Sequence, residues 1–328
     1  MSGRPPMALT GSAVRAIGLG SQMWHCCPVT STRRFAPPER YLFGATLSPL
    51  QAPRHDPCVR LTADQLWLAG RTPDGPGTLH LARVAGELEA TAYGPGAEWL
   101  IERADAVAGL RDDVRGFPAL ARSHPVVARL AHTLAGLRMP ATGMVFHRLL
   151  RAILEQKVTG TEAFRAYRKI CRRFGEPAPG PTDLVLPPDP AAIAATPYWE
   201  FHPLGVEQRR TQALLRAAVE ADRIERCAGA EEAARRMTAL PGIGPWTAAE
   251  VVRVAHGDPD AVSVGDYHVP NTVAWGLAGE PRGTDARMLE LLEPFRGHRG
   301  RVCDLLAHGG IGAPRFGPRM PIRSFARF

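Results

Sequence analysis

The sequence predicts an α+β chain, with a small antiparallel sheet domain in front of an all-α region. Three observations predict it. Residues 35–94 carry short apolar runs of period two separated by Pro and Gly, and beyond residue 125 the apolar positions recur at helical spacing. The 328 residues are 45% hydrophobic and 22% charged, which is ordinary globular usage and excludes a disordered or fibrous protein. At roughly 100–200 residues per domain this length allows two domains or three. No apolar run approaches the ~18–20 residues of a membrane span, so no membrane partner is expected.

The first 35 residues are expected to be a disordered extension. They do not read as a signal peptide, because Arg15 interrupts the apolar stretch. Residues 36–110 are expected to form the sheet domain. Val59 and Leu61, then Leu66 and Leu68, bracket one strand pair, while Leu79, Leu81 and Leu88, Ala90, Ala92 give alternating faces. Thr72-Pro73-Asp74-Gly75-Pro76-Gly77 is turn chemistry between them. One buried face is expected, covered by a helix over 96–108 with Trp99, Leu100 and Ala104 on its inner side. Residues 111–308 form the helical domain. Helices are expected from Pro125 on, over 145–156 and over 161–174 ending at Gly175, with a Pro-rich loop over 177–190. Further helices fit 190–196, 206–222, 230–240, 246–256, 270–279, 285–293 and 300–308. Residues 309–328 are expected to form an extended basic tail.

The formal charge is +8, of which residues 1–40 hold +4 and residues 296–328 hold +6, leaving −2 for the rest. A basic total favours a polyanionic partner, but here its sign sits in the two tails. Only Lys157 and Lys169 are lysines, so there is little material for lysine chemistry. The six cysteines (Cys26, Cys27, Cys58, Cys171, Cys227 and Cys303) have no paired spacing. Free thiols and a reducing cytoplasm are therefore expected rather than a disulfide framework.

The most informative segment is Leu240-Pro241-Gly242-Ile243-Gly244-Pro245-Trp246-Thr247-Ala248. Two glycines around one apolar residue permit a tight turn between helices. The turn leaves backbone N–H groups open at the start of the next helix, where a phosphate is held favourably. A plain helical turn with a glycine C-cap is the competing reading. Val262-Ser263-Val264-Gly265-Asp266-Tyr267-His268-Val269, with Asp266 twenty-two residues after Gly244, precedes another helix.

The string resembles the helix-hairpin-helix DNA-binding motif. With the aspartate at this distance, and Ile153-Leu154-Glu155-Gln156-Lys157-Val158-Thr159 upstream, it resembles the helix-hairpin-helix DNA glycosylase superfamily, nearest to the DNA-3-methyladenine glycosylase II group. The resemblance covers roughly residues 36–308. It implies base flipping and hydrolysis of the N-glycosidic bond of alkylated purines in duplex DNA, in base excision repair. Asp266 is then the catalytic carboxylate, which stabilises the positive charge that builds on the sugar; by itself it could equally be a helix N-cap. Trp246 stands where strand-cutting members carry a lysine, so no Schiff base and no lyase step are expected.

Trp246, Glu250 and Tyr267 are the candidate pocket residues. Trp246 offers an indole face to an electron-poor base, and Glu250 lies one turn later on the same helix face. An ordinary core tryptophan and a surface Glu250 paired with Arg253 are the alternatives. Gln156, Lys157, Gly242, Ile243, Gly244, Thr247 and His268 are the candidate DNA contacts. Lys157 occupies the position that fills the gap left by a flipped nucleotide, although it could also be a solvated helix-end residue. The iron–sulfur branch needs four clustered cysteines and only Cys303 lies near the C-terminus, so no cofactor and no metal are expected. The expected partner is duplex DNA with damaged bases, bound by a monomer. A non-catalytic DNA-backbone binder, or a hairpin that holds a monovalent cation, remains the alternative.

Overall fold

The computed structural model describes residues 31–53 and 55–314. Its sheet has five antiparallel strands, β1 (Ser31–Phe35), β2 (Val59–Leu61), β3 (Gln65–Thr72), β4 (Gly75–Val84) and β5 (Glu87–Tyr93), in the order β1-β5-β4-β3-β2. Register follows the apolar alternation. Leu61, Leu66, Leu81 and Ala90 lie opposite one another across four strands, as do Val59, Leu68, Leu79 and Ala92. A one-residue slip would turn both rows to the other face. The β4–β5 turn has Ala85 at φ 51° and Gly86 at φ 89°, the paired positive values that match the twist of a two-residue hairpin.

Two expectations about the sheet are corrected. Residues 31–35, placed in the disordered extension, form β1, whose register on β5 runs from Ser31↔Ala92 to Phe35↔Leu88. Its three central residues are exposed, so this edge strand is held by backbone pairing and an Arg34–Glu89 ion pair at 2.6 Å and has no apolar alternation to announce it. The second face is also partly covered. Trp67 stacks on His80 with centroids 4.0 Å apart, and Ala178, Leu184 and Leu186 of the Pro-rich segment pack against it and Ala69. Residues 1–30 and 315–328 lie outside the described residues, and with them the rest of the expected extension and most of the basic tail.

The helices are α1 (Phe43–Leu47), α2 (Ala97–Val107), α3 (Phe117–Ala121), α4 (Pro125–Thr133), α5 (Val145–Glu155), α6 (Gly160–Phe174), α7 (Pro190–Ala194), α8 (Gln208–Val219), α9 (Ala221–Glu225), α10 (Ala230–Thr238), α11 (Pro245–Ala255), α12 (Val269–Ala278), α13 (Asp285–Leu292) and α14 (Arg299–His308). The helix expected over 206–222 breaks at Glu220, which ends α8 and caps α9. The five-residue helices α1 and α3 were not expected, since so few residues carry no period. Among the described residues no helix is long and apolar enough to cross a membrane.

Two large apolar cores, beside the small cluster at Ala69, divide the described residues. The first runs without a break from the sheet and α2 through α5, α6 and α8 to α11, so the sheet does not have a core to itself. The second gathers α3, α4, α12, α13 and α14 around Val273, Met288, Phe295 and Leu306. The segment between α11 and α12 is the last of the chain's crossings from the first core to the second. It carries Asp266.

Candidate active site

The hairpin between α10 and α11 is tight because Gly242 takes φ 98°, a left-handed value that favours glycine. A Cβ there would also come within 2.9 Å of the Ala213 Cβ on α8. Gly244 has φ −101°, so only the first glycine serves the turn's conformation. At the second, nothing lies within 4 Å of where a Cβ would stand, and that open space leaves the start of α11 approachable. Pro245 has no N–H, and the amides of Gly244, Trp246 and Thr247 have no acceptor among the described residues. Unpaired donors at the positive end of an eleven-residue helix favour an anion.

Two loops converge on this turn. Gln156, from the end of α5, donates through Nε2 to the Gly242 carbonyl at 3.0 Å and to Thr247 Oγ1 at 2.8 Å. On the other side the Trp246 indole donates through Nε1 to Asp266 Oδ2 at 3.0 Å. Asp266 Oδ1 accepts the amides of His268 at 2.6 Å and Val269 at 2.9 Å, at the start of α12. The carboxylate thus accepts both the amides that lead into α12 and the indole of α11, and it ties the two cores together. The His268 and Val269 amides occupy Oδ1, which leaves Oδ2 with the indole as its one donor among the described residues.

No family model matches the chain. Its sequence is 30% identical over 126 residues to the DNA-3-methyladenine glycosylase 2 of Escherichia coli (strain K12), a match covering 37% of this chain and 45% of that protein. The chain thus spans under half the length of that curated relative. Its fold matches a 3-methyladenine DNA glycosylase from Archaeoglobus fulgidus with a TM-score of 0.71, at 18% identity over 84% of this chain and 98% of the other. It also matches an 8-oxoguanine glycosylase/lyase from Clostridium acetobutylicum, solved with double-stranded DNA containing cytosine opposite 8-oxoguanine, with a TM-score of 0.56 at 13% identity over 77% and 97% of the two chains. The fold is the one that these two solved DNA glycosylases share.

Within this glycosylase fold, several expected site residues stand elsewhere than the sequence implied. Ile243 is 5% exposed and its amide bonds the Leu240 carbonyl, so neither its side chain nor its N–H is open to DNA. The Thr247 side chain is buried and receives Gln156; the two join the hairpin to the α5–α6 loop, leaving only the Thr247 amide to meet a ligand. Glu250 departs furthest from expectation. Its Oε2 accepts Arg148 at 2.7 Å and Arg253 at 3.2 Å, and its Oε1 accepts the Ser263 hydroxyl at 2.6 Å. Arg148 continues to Glu155 at 3.1 Å and Arg253 to Asp304 at 3.1 Å. Burial works to raise the Glu250 pKa, but Arg253, Arg148 and the Ser263 hydroxyl outweigh it and hold the carboxyl down at about 2. With both oxygens taken, Glu250 does not fit the pocket role expected of it.

Lys157 and Tyr267 are exposed. Lys157 sits at φ 53°, a conformation costing about 1 kcal/mol for a residue with a Cβ. It follows Gln156, whose amide fixes that loop to the hairpin, and precedes the capping box of Thr159 and Glu162 that starts α6. Backbone fixed from both sides can sustain such strain, which collects at functional positions. His268 is exposed at the start of α12. Reasoning from sequence missed Ser263 and Arg148. An arginine on the apolar stripe of α5, three residues before Arg151 and seven before Glu155, was the available sign of a buried ion network.

Proposed function

We propose that the chain is a monofunctional DNA glycosylase that flips an alkylated purine from duplex DNA and hydrolyses its N-glycosidic bond. The observation that carries this reading is the Trp246–Asp266 pair, which sets a carboxylate beside an anion-binding helix start. A duplex whose phosphate sits on the open amides of Gly244, Trp246 and Thr247 brings a nearby sugar over Asp266. As the bond to the base lengthens, positive charge grows on that sugar. The carboxylate stabilises it and accepts a proton from the attacking water. Capping by two amides and the indole keeps Asp266 oriented before the substrate arrives. A cationic alkylpurine leaves as a neutral base without a general acid, consistent with Glu250 being held as a carboxylate away from that task. The fold neighbour solved with double-stranded DNA supports the choice of partner.

The deciding experiment is alkali-induced strand scission across duplexes bearing 3-methyladenine, 7-methylguanine, ethenoadenine, hypoxanthine and uracil. Scission at the methylated purines is the expected result; no scission at any lesion would leave a DNA binder without catalysis. Borohydride present during turnover should trap no covalent complex, because Trp246 stands where an amine would be needed. A trapped band would overturn the monofunctional reading.

Lys157 acts in this reading as a cationic wedge, its stem filling the vacated stack and its ammonium reaching a phosphate or the unpaired base. Lys157→Ala should weaken capture of the flipped state. It should also lower the slope of log affinity against log salt by up to about one contact. An unchanged salt slope in filter-binding titrations would return Lys157 to the role of a solvated loop residue.

A further inference from the structure

Tyr267 is 81% exposed, the most exposed of the large apolar and aromatic side chains among the described residues. It follows Asp266 directly, yet nothing about its surroundings is loose. Asp266 Oδ1 holds the His268 and Val269 amides on one side, and Asn271 Nδ2 donates to the Tyr267 carbonyl at 3.2 Å on the other. Asn271 is itself held, since its Oδ1 accepts the Gly283 amide at 2.9 Å. The His268 ring stands edge-on to the Tyr267 ring, with centroids 4.9 Å apart and planes at 88°. A fixed turn thus displays a phenol ring whose remaining surface meets only solvent. Such a ring loses little conformational freedom when something packs on it, and every nucleobase offers a matching face.

The ring also lies along one run of contacts with the rest of the site. Lys157 adjoins Gln156, Gln156 is bonded to Thr247, Thr247 adjoins Trp246, Trp246 is bonded to Asp266, and Asp266 adjoins Tyr267. The hairpin's open amides fall in the middle of this run, with a strained cation at one end and an exposed ring at the other. We propose that Tyr267, backed by His268, is a stacking platform for a base neighbouring the extruded nucleotide, holding the distorted strand open beside Asp266. The inference rests on the glycosylase reading and adds a specificity device to it. The platform rewards a strand already unstacked at the lesion and gives little to an intact duplex, whose neighbouring bases are covered.

The test uses the full chain and a duplex with a tetrahydrofuran abasic analogue, 2-aminopurine being placed next to the analogue on either side. Wild-type protein should change the 2-aminopurine fluorescence on one side. Tyr267→Ala should lose that change and bind the analogue duplex about tenfold more weakly, in the range of aromatic–base stacking. Its salt slope should stay as in wild type, because no phosphate contact is removed. Tyr267→Phe should behave as wild type. Equal affinity and equal fluorescence for Tyr267→Ala and wild type would overturn the platform, as would a Phe variant as defective as Ala, which would assign the effect to the hydroxyl. Wild-type protein that binds the analogue duplex no better than an undamaged one would instead sink the glycosylase reading, and the platform with it.

Discussion

Asp266→Asn is expected to slow base release by roughly 10²–10³-fold, the scale seen when one preorganised electrostatic group is removed from a reacting centre, while duplex binding stays near wild type. The substitution keeps shape but removes the charge, and the geometry adds a second effect. Asp266 accepts three hydrogen bonds, two at Oδ1 from the start of α12 and one at Oδ2 from the Trp246 indole. An asparagine has one oxygen and one NH₂ group. If its oxygen caps α12, its NH₂ faces the indole N–H, donor against donor, and the link between the two cores opens. If the oxygen turns to the indole, two helix-start amides lose their acceptor, at about 1 kcal/mol. The variant should therefore melt slightly earlier besides losing its counter-charge. Single-turnover release from a methylated-purine duplex, with affinity measured in parallel, checks both parts. Release at the wild-type rate would remove Asp266 from the chemistry.

What was legible in the sequence, and what was not, follows from how each feature is encoded. The sheet rows built on Leu66, Leu68, Leu79 and Leu81 and the helices α4, α5 and α6 are written as apolar periods, and the structure bears them out. The hairpin and Asp266 are written as short strings whose backbone demands are local, as with Gly242 at its left-handed φ. β1 has no such trace, because an edge strand with exposed side chains is specified by its neighbour's open backbone groups rather than by its own pattern. Glu250 shows a different limit. Helical spacing correctly put it one turn from Trp246. What that face meets depends on Arg148 from α5, 102 positions back in the chain, and on Ser263 from the following loop. Spacing along one helix says which residues share a face and nothing about what packs against it.

Glu250→Ala should accordingly reveal itself as a structural lesion. It strips the shared carboxylate from Arg148 and Arg253, whose side chains are only 7% and 19% exposed. Leaving a buried charge with no partner costs about 3–5 kcal/mol, an upper bound here because Glu155 still pairs with Arg148 and Asp304 with Arg253. At about 2–4 °C per kcal/mol for a chain of this class, the melting temperature should fall by several degrees and by no more than roughly 20 °C. Glu250→Gln, which can still accept from Ser263 and one arginine, should lose less. The pH dependence has a definite sign. The carboxyl is held at about 2 against an ordinary value of 4.5, so its contribution is fully present above about pH 4.5 and is lost as pH falls from there towards 2. The Ala variant, lacking that group, should lose less stability than wild type across the same window. Ser263 transmits the damage to the site, since its hydroxyl holds Glu250 and its carbonyl accepts the Asp266 amide at 3.1 Å. Base release by the folded variant should therefore decline by the same factor for cationic 7-methylguanine and for neutral hypoxanthine, as loosening of Asp266 affects every leaving group alike. A selective loss with the cationic base, at unchanged melting temperature, would put Glu250 back in the pocket and the network out of this role.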